Sequence, residues 1–140
     1  MKKKIIRTST VPGTINGLLQ GQLRMLSSHY EVIAVASPGK ELEEIAIREN
    51  VRTIPIALER RISLIKDIFS LFRLILVFHK EKPWMVHSMT PKAGLLCMIA
   101  AWVCRVPIRI HTFTGLVFPT AEGKLKKLLM FTDKLTCFCA

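Results

Sequence analysis

The sequence predicts a doubly wound α/β domain: a Rossmann-like, mostly parallel sheet of about six strands with helices on both faces. Two observations predict it. Apolar, β-prone runs alternate with stretches of helical period along the whole chain, and the runs close on small or turn-forming residues. The chain has 140 residues, half of them hydrophobic, with a mean hydropathy of +0.34. That is the composition of one folded domain, which at this length buries about two-thirds of its unfolded surface.

Residues 3–8 are a short β-prone run ending in Ser9-Thr10-Val11-Pro12-Gly13, and residues 16–28 carry Leu18, Leu19, Leu23, Met25 and Leu26 as the apolar set of a helix. Residues 30–36 form a near-continuous apolar strand closed by Ser37-Pro38-Gly39, after which Leu42, Ile45 and Ala46 mark one face of a helix over 41–50. A third strand over 51–58 carries Ile54, Ile56 and Leu58 in alternation, and Pro55 within it places that strand at an edge or a bulge. Over 62–78 apolar residues recur at helical spacing, with Arg61, Lys66, Arg73, Lys80 and Lys82 on the other side. This is a long basic amphipathic helix stopped by Pro83, with Phe69, Leu71, Phe72, Ile75 and Phe78 suited to facing a core.

Residues 84–87 make a fourth strand, and Thr90-Pro91 opens the next helix with Thr as N-cap and Pro at the first helical position. That helix, over 92–104, is apolar almost all round and must be covered on most sides. Residues 107–113 read as a fifth strand, 123–131 as a short basic helix and 134–139 as a sixth strand. Buried parallel strands need cover on both faces. A strand at the end of the chain with no helix after it therefore predicts that residues 1–140 are one domain of a longer protein, the alternative being a chain that ends on an edge strand.

Lys and Arg number 21 against 10 Asp and Glu, a formal net charge of +11. Such a balance suits anionic partners, whether nucleic acid, acidic lipid headgroups or phosphorylated small molecules. No nucleic-acid partner is expected, because the sequence offers neither an aromatic stacking platform nor a reading helix. The opening Met1-Lys2-Lys3-Lys4-Ile5-Ile6-Arg7 does not fit a signal peptide. The longest apolar stretches, 74–78 and 94–103, fall short of the roughly 18 residues of a membrane span, so a cytoplasmic protein is expected. Cys97, Cys104, Cys137 and Cys139 lack zinc-site spacing and read as small buried hydrophobes, with no metal.

Ligands of open α/β sheets sit beyond the carboxyl ends of the strands. After the first strand, Gly13, Thr14, Asn16 and Gly17 leave backbone N–H groups accessible at a helix N-terminus, which suits a phosphate or pyrophosphate. The order G-x-G-x-x-G is absent, and the second strand ends at Ser37 where a dinucleotide site needs an acid for the ribose. Glycines that only serve a tight turn are the alternative. The fourth strand delivers His87 to its carboxyl end beside Ser88, Thr90 and Lys92. An imidazole there can act as a base or hydrogen-bond a sugar hydroxyl, or it can simply be a half-buried His satisfied by backbone. Lys92 opposes the helix dipole, a cost that a bound phosphate would relieve. The fifth strand ends in His111-Thr112-Phe113-Thr114-Gly115, so three neighbouring strand ends converge.

Val86-His87-Ser88-Met89-Thr90-Pro91-Lys92-Ala93-Gly94-Leu95-Leu96, then Arg105-Val106-Pro107-Ile108-Arg109-Ile110-His111-Thr112-Phe113-Thr114-Gly115-Leu116, with Gly123-Lys124-Leu125-Lys126-Lys127 downstream, resembles the N-terminal domain of family 4 glycosyltransferases. The likeness spans the chain and is greatest to bacterial members that build capsular, O-antigen or other surface polysaccharides. It implies one half of a GT-B architecture, in which two Rossmann-like domains face across a cleft and the N-terminal one binds the acceptor. It further implies a nucleotide-sugar donor as substrate, a polyprenyl-linked or oligosaccharide acceptor, retention of anomeric configuration, and no cofactor or metal for transfer. Gly13, Thr14, Asn16 and Gly17 would then line the cleft near the donor phosphates, His87 would lie near the reacting sugar, and Thr114 and Gly115 would line the acceptor side. The family often has His-x-His after the fourth strand, and here the second position is Met89. Its Glu-x7-Glu motif belongs to the C-terminal domain, so the match at Glu41 and Glu49, on the helix after the second strand, reads as coincidence.

The 61–82 helix fits an interfacial role, with Arg61, Lys66 and Arg73 as candidates to face an anionic membrane that a polyprenyl acceptor would bring near. An ordinary helix covering the sheet is the alternative. Two functions follow. One is the acceptor-binding half of a retaining glycosyltransferase, peripheral on the inner face of the membrane and inactive alone, because stabilising the leaving nucleotide needs the missing C-terminal domain. The other is a non-catalytic, membrane-associated subunit that docks a separate donor-binding partner through its last strand and basic helix.

Overall fold

The computed structural model describes residues 2–58, 63–115 and 118–140. Among these, five strands, β1 (Lys4–Thr8), β2 (Glu31–Ala36), β3 (Arg52–Pro55), β4 (Met85–Met89) and β5 (Ile108–Thr112), pair in the order β3-β2-β1-β4-β5. Every pairing is parallel. The period of two along each strand divides the core into two layers. Ile6, Ile33, Val35 and Val86 face one layer, covered by α4 (Leu64–Glu81), α5 (Pro91–Val103) and α6 (Gly123–Cys139). Val32, Ala34, Ala36 and Met89 face the other, covered by α1 (Pro12–Leu18), α2 (Gln22–Ser27) and α3 (Lys40–Glu49). Helices thus lie on both faces, as the alternation of periods requires.

The expected helix over 16–28 is two helices. The chain turns through Gly21 at φ 74, and the buried Glu49 carboxylate accepts the N–H groups of Gly21 (3.0 Å) and Arg24 (3.1 Å), fixing where α2 starts. Glu49 thus ties the C-terminal end of α3 to the start of α2. β3 lies at the sheet edge and ends at Pro55, the position its proline demands. α4 ends at Lys82, in the left-handed region at φ 48, just before Pro83. The nearly all-apolar α5 is covered by the sheet, α4 and α6, as its composition requires.

Residues 134–139, expected as a sixth strand, are the last turns of α6. Thr132, Leu135, Thr136 and Cys139 repeat at helical spacing; Thr136 and Cys139 are buried, and the Thr136 hydroxyl donates to the Thr132 carbonyl (2.8 Å). A short apolar run does not distinguish strand from helix by itself. Arg109 Nε pins the helix end by donating to the Cys139 carbonyl (2.6 Å). The expected sixth strand is thus not formed, and the sheet among the described residues has five strands. Cys97 and Cys139 are buried and Cys104 half-buried as expected, whereas Cys137 is exposed on the outer side of α6.

On α4, Phe78 is buried and Leu71 and Ile75 pack against the core as expected, but Phe69 and Phe72 do not. Ser70, Leu74 and Phe78 point inward, while Phe69 and Phe72 are 68% and 62% exposed. Its outer face is an apolar stripe of Leu64, Ile65, Ile68, Phe69, Phe72 and Leu76, interspersed with exposed Lys66 and Arg73. Arg61 lies outside the described residues.

Candidate functional site

The strand order changes direction at β1: one connection leads through α1 and α2 to β2, and β4 lies on the opposite side. The carboxyl ends of β1 and β4 therefore flank the crevice where ligands of such sheets bind. Hydroxyl groups tie the loops there. Thr10 Oγ1 and Thr90 Oγ1 lie 2.7 Å apart, and the Thr10 N–H donates to Thr90 Oγ1 (3.2 Å). Ser37, after β2, donates to the Thr10 carbonyl (2.7 Å) and accepts the Leu58 N–H (3.0 Å). Thr90 sits where an N-cap was expected, but its hydroxyl spans the crevice and makes no cap to α5. It is held at φ 71, ψ 142, where a β-branched residue is strained.

His87 stands two residues inside β4, because Ser88 and Met89 continue the ladder opposite His111 and Thr112. The strand is longer than its apolar run, so His87 presents its ring on the sheet face below the carboxyl edge. Its Nε2 lies 2.8 Å from Thr112 Oγ1. Burial first, then the nearby Arg7 and His111, lower its pKa from 6.5 to about 4. The imidazole is therefore neutral near pH 7 and able to accept a proton or a hydrogen bond. Thr114 and Gly115 follow β5 at the same edge, exposed, and the Cβ position of Gly115 is open.

His111 faces the opposite layer. Its Nδ1 lies 2.9 Å from Ser88 Oγ, its ring meets Phe113 edge-on at 4.4 Å, and burial lowers its pKa. Gly94 on α5 makes room for it, since a Cβ there would lie 2.2 Å from His111 Cε1. Two of the expected phosphate contacts have partners within the chain. Lys92 pairs with Asp67 on α4 at 2.6 Å, and Asn16 accepts from Arg48 on α3. Gly17 is exposed on the outer side of α1. Gly13 and Thr14 remain in the first turn of α1, beside the crevice.

The sequence reading passed over Arg7, Ser9, Thr10 and Ser37. Small hydroxyl residues directly after β-prone runs were the available signal for the last three. Two concavities of about 560 and 440 Å³ open at the other end of the sheet, lined by Trp102, Arg105, Pro107 and their neighbours. They lie at the amino ends of β4 and β5, far from the hydroxyl-linked crevice, and contain none of its groups. No group of His, Cys, Asp and Glu among the described residues is arranged to hold a metal ion.

Residues 14–137 match the family described as glycosyl transferase 4-like. The chain is 42% identical over 139 residues, 99% of its length, to the capsular polysaccharide biosynthesis glycosyltransferase CapM of Staphylococcus aureus, and it covers 36% of that protein. Over 70 residues, half of the chain and 18% of the relative, it is 43% identical to the UDP-Gal:alpha-D-GlcNAc-diphosphoundecaprenol alpha-1,3-galactosyltransferase of Escherichia coli. The structure of Staphylococcus aureus MnaA with UDP superposes on the whole chain with a TM-score of 0.66 at 22% identity; the chain covers 38% of it, and this likeness speaks for the fold alone. The chain thus spans about a third or less of the length of the curated relatives it matches.

Proposed function

Because the chain belongs to the glycosyl transferase 4-like family, we propose that it is the N-terminal, acceptor-side domain of a retaining glycosyltransferase of capsular or other surface polysaccharide synthesis. The observation that carries this reading is the crevice between β1 and β4, in a chain alike over nearly its whole length to a capsular glycosyltransferase. In this reading a second domain, in the remainder of the relatives' length, holds a nucleotide-sugar, and no metal takes part in transfer. The Escherichia coli relative is named for a UDP-sugar donor and a diphosphoundecaprenol-linked acceptor, which supports the same classes here. Neutral His87, steadied by Thr112, meets the reacting sugar; Thr114 and Gly115 border the acceptor, and Gly13 and Thr14 approach the donor phosphates.

The outer face of α4 supports a peripheral position on the inner membrane surface. Its aromatic stripe with interspersed Lys66 and Arg73 has the make-up of an interfacial helix, and no described helix is long and apolar enough to cross a membrane. The docking-subunit alternative relied on a last strand and the basic helix, and the first of these is helical.

The test is sugar transfer by the protein expressed from its full natural reading frame, assayed with a panel of nucleotide-sugars and undecaprenyl diphosphate-linked sugar in anionic vesicles. Transfer with retention, undiminished by a chelator, is expected, and His87→Ala lowers turnover by about two orders of magnitude or more with folding preserved. No transfer from any donor contradicts the reading, and unchanged turnover removes His87 from it. Phe69→Ser with Phe72→Ser, or Lys66→Gln with Arg73→Gln, reduces partition onto anionic vesicles; equal partition removes the membrane role.

A further inference from the structure

Arg7 lies on β1, the central strand, and is only 6% exposed. Its register neighbours are Ala34, packed in the α1–α3 layer, and His87 on β4, so its side chain belongs to that face of the sheet. A guanidinium withdrawn from water normally has a carboxylate partner, because an unpaired buried charge is strongly unfavourable. Arg7 has none. Among the described residues no hydrogen bond or ion pair reaches it, and its Nε is buried without a partner. Of the buried or half-buried acids among the described residues, Glu49 is engaged with Gly21, Arg24 and Arg48, Glu81 with Lys4 and Arg52, and Asp67 with Lys92, while Asp133 lies on α6 near His111, on the opposite face of the sheet.

A second orphan stands beside it. The ladder continues past β1 through the Ser9 N–H to the Val35 carbonyl (3.0 Å), so Ser9, two residues on, returns to the face of Arg7. It is completely buried and its hydroxyl also lacks a partner. A cation without a counter-charge and a hydroxyl without an acceptor thus occupy one face of one strand at the crevice, next to His87. A donor set with no acid in it is complementary to an oxyanion, and the planar fork of arginine suits phosphoryl oxygens.

We propose that Arg7, with the Ser9 hydroxyl, anchors an oxyanion subsite at the β1–β4 crevice that takes the diphosphate group of a substrate. The anion site follows from the orphaned groups; the choice of a diphosphate rests on the glycosyltransferase reading. Both a nucleoside diphosphate and a prenyl diphosphate carry the group, and the test separates them.

The test is calorimetric titration of the chain with inorganic pyrophosphate, UDP and farnesyl diphosphate, alongside thermal unfolding without ligand. Arg7→Met is expected to weaken pyrophosphate binding about ten- to hundredfold, the loss expected for a charge-assisted hydrogen bond. It is also expected to raise the thermal midpoint of the ligand-free chain, because it removes a buried charge with no counter-charge. Should Arg7→Met fail to fold, Arg7→Lys reads the same point: it keeps the charge and loses the fork, so binding weakens at a little-changed midpoint. Higher affinity for UDP than for pyrophosphate assigns the group to the donor, and higher affinity for farnesyl diphosphate assigns it to the acceptor. Pyrophosphate bound through Arg7 with neither gain keeps the anion site and detaches it from glycosyl transfer. No pyrophosphate binding by the wild type, or equal affinity in the variants, overturns the site, the latter showing anions held by the basic surface alone.

Discussion

His87 takes its chemistry from its surroundings. Burial and the nearby Arg7 keep the ring neutral, and Thr112 orients it. Because its folded pKa of about 4 lies below the ordinary 6.5, folded and unfolded chains differ in proton uptake only between those values. Unfolded His87 binds a proton there that folded His87 refuses, so stability is full above pH 6.5 and declines as pH falls towards 4. His111, also lowered by burial, adds to the same decline. Proton NMR titration is expected to place the His87 midpoint near 4, and His87→Gln should flatten the fall of thermal midpoint in that window; a midpoint near 6.5 would refute the burial. Gly94→Ala is expected to destabilise by about 1–3 kcal/mol, the usual effect of overpacking, because the new methyl meets the His111 ring. An unchanged denaturation midpoint would show that the ring moves aside freely. The placement of Thr114 and Gly115 just after β5 was legible because they follow a β-prone run, whereas His87 lies inside β4 because the strand continues through Ser88 and Met89. The Thr10–Thr90 contact joins residues 80 apart and the isolation of Arg7 is a property of its neighbours, so neither leaves a local pattern.

The element-scale departures have local causes too. The α1–α2 break depends on Glu49, an acid from the far end of α3 that satisfies the first N–H groups of α2. Burial alone would raise its pKa, but the Gly21 N–H, Arg48 and the Arg24 N–H together hold it below the ordinary carboxylate range. Its stabilising effect is therefore complete above that ordinary range and is lost as pH falls through its lowered value. Glu49→Ala leaves buried donors unsatisfied and is expected to lower stability by about 1–3 kcal/mol, with hydrogen exchange accelerating first in α2. Uniform exchange rates would argue against a local role. The strand expected over 134–139 failed because β-branched and aromatic residues in a six-residue window outweighed a helical repeat that only becomes visible from Thr132 onward. On α4, Leu71, Ile75 and Phe78 meet the core as expected while Phe69 and Phe72 lie on a second apolar face, since a helix apolar on two faces gives no sign of where the buried side ends.

At the scale of the whole molecule, the parallel sheet, the layers on both faces and the edge position of β3 were all legible, because period and turn chemistry are written locally. The strand order was not, and it makes β1 and β4 neighbours and gathers Arg7, Thr10, His87 and Thr90 at one crevice. In the proposed function this crevice, at the carboxyl edge, borders the acceptor of glycosyl transfer. The most direct measurement is a two-dimensional NMR titration of the isotopically labelled chain with a short-prenyl, diphosphate-linked sugar. Shifts centred on residues 7–14, 87–90 and 112–115 are expected. Shifts confined to the opposite edge, around Trp102, Arg105 and Pro107, would contradict it.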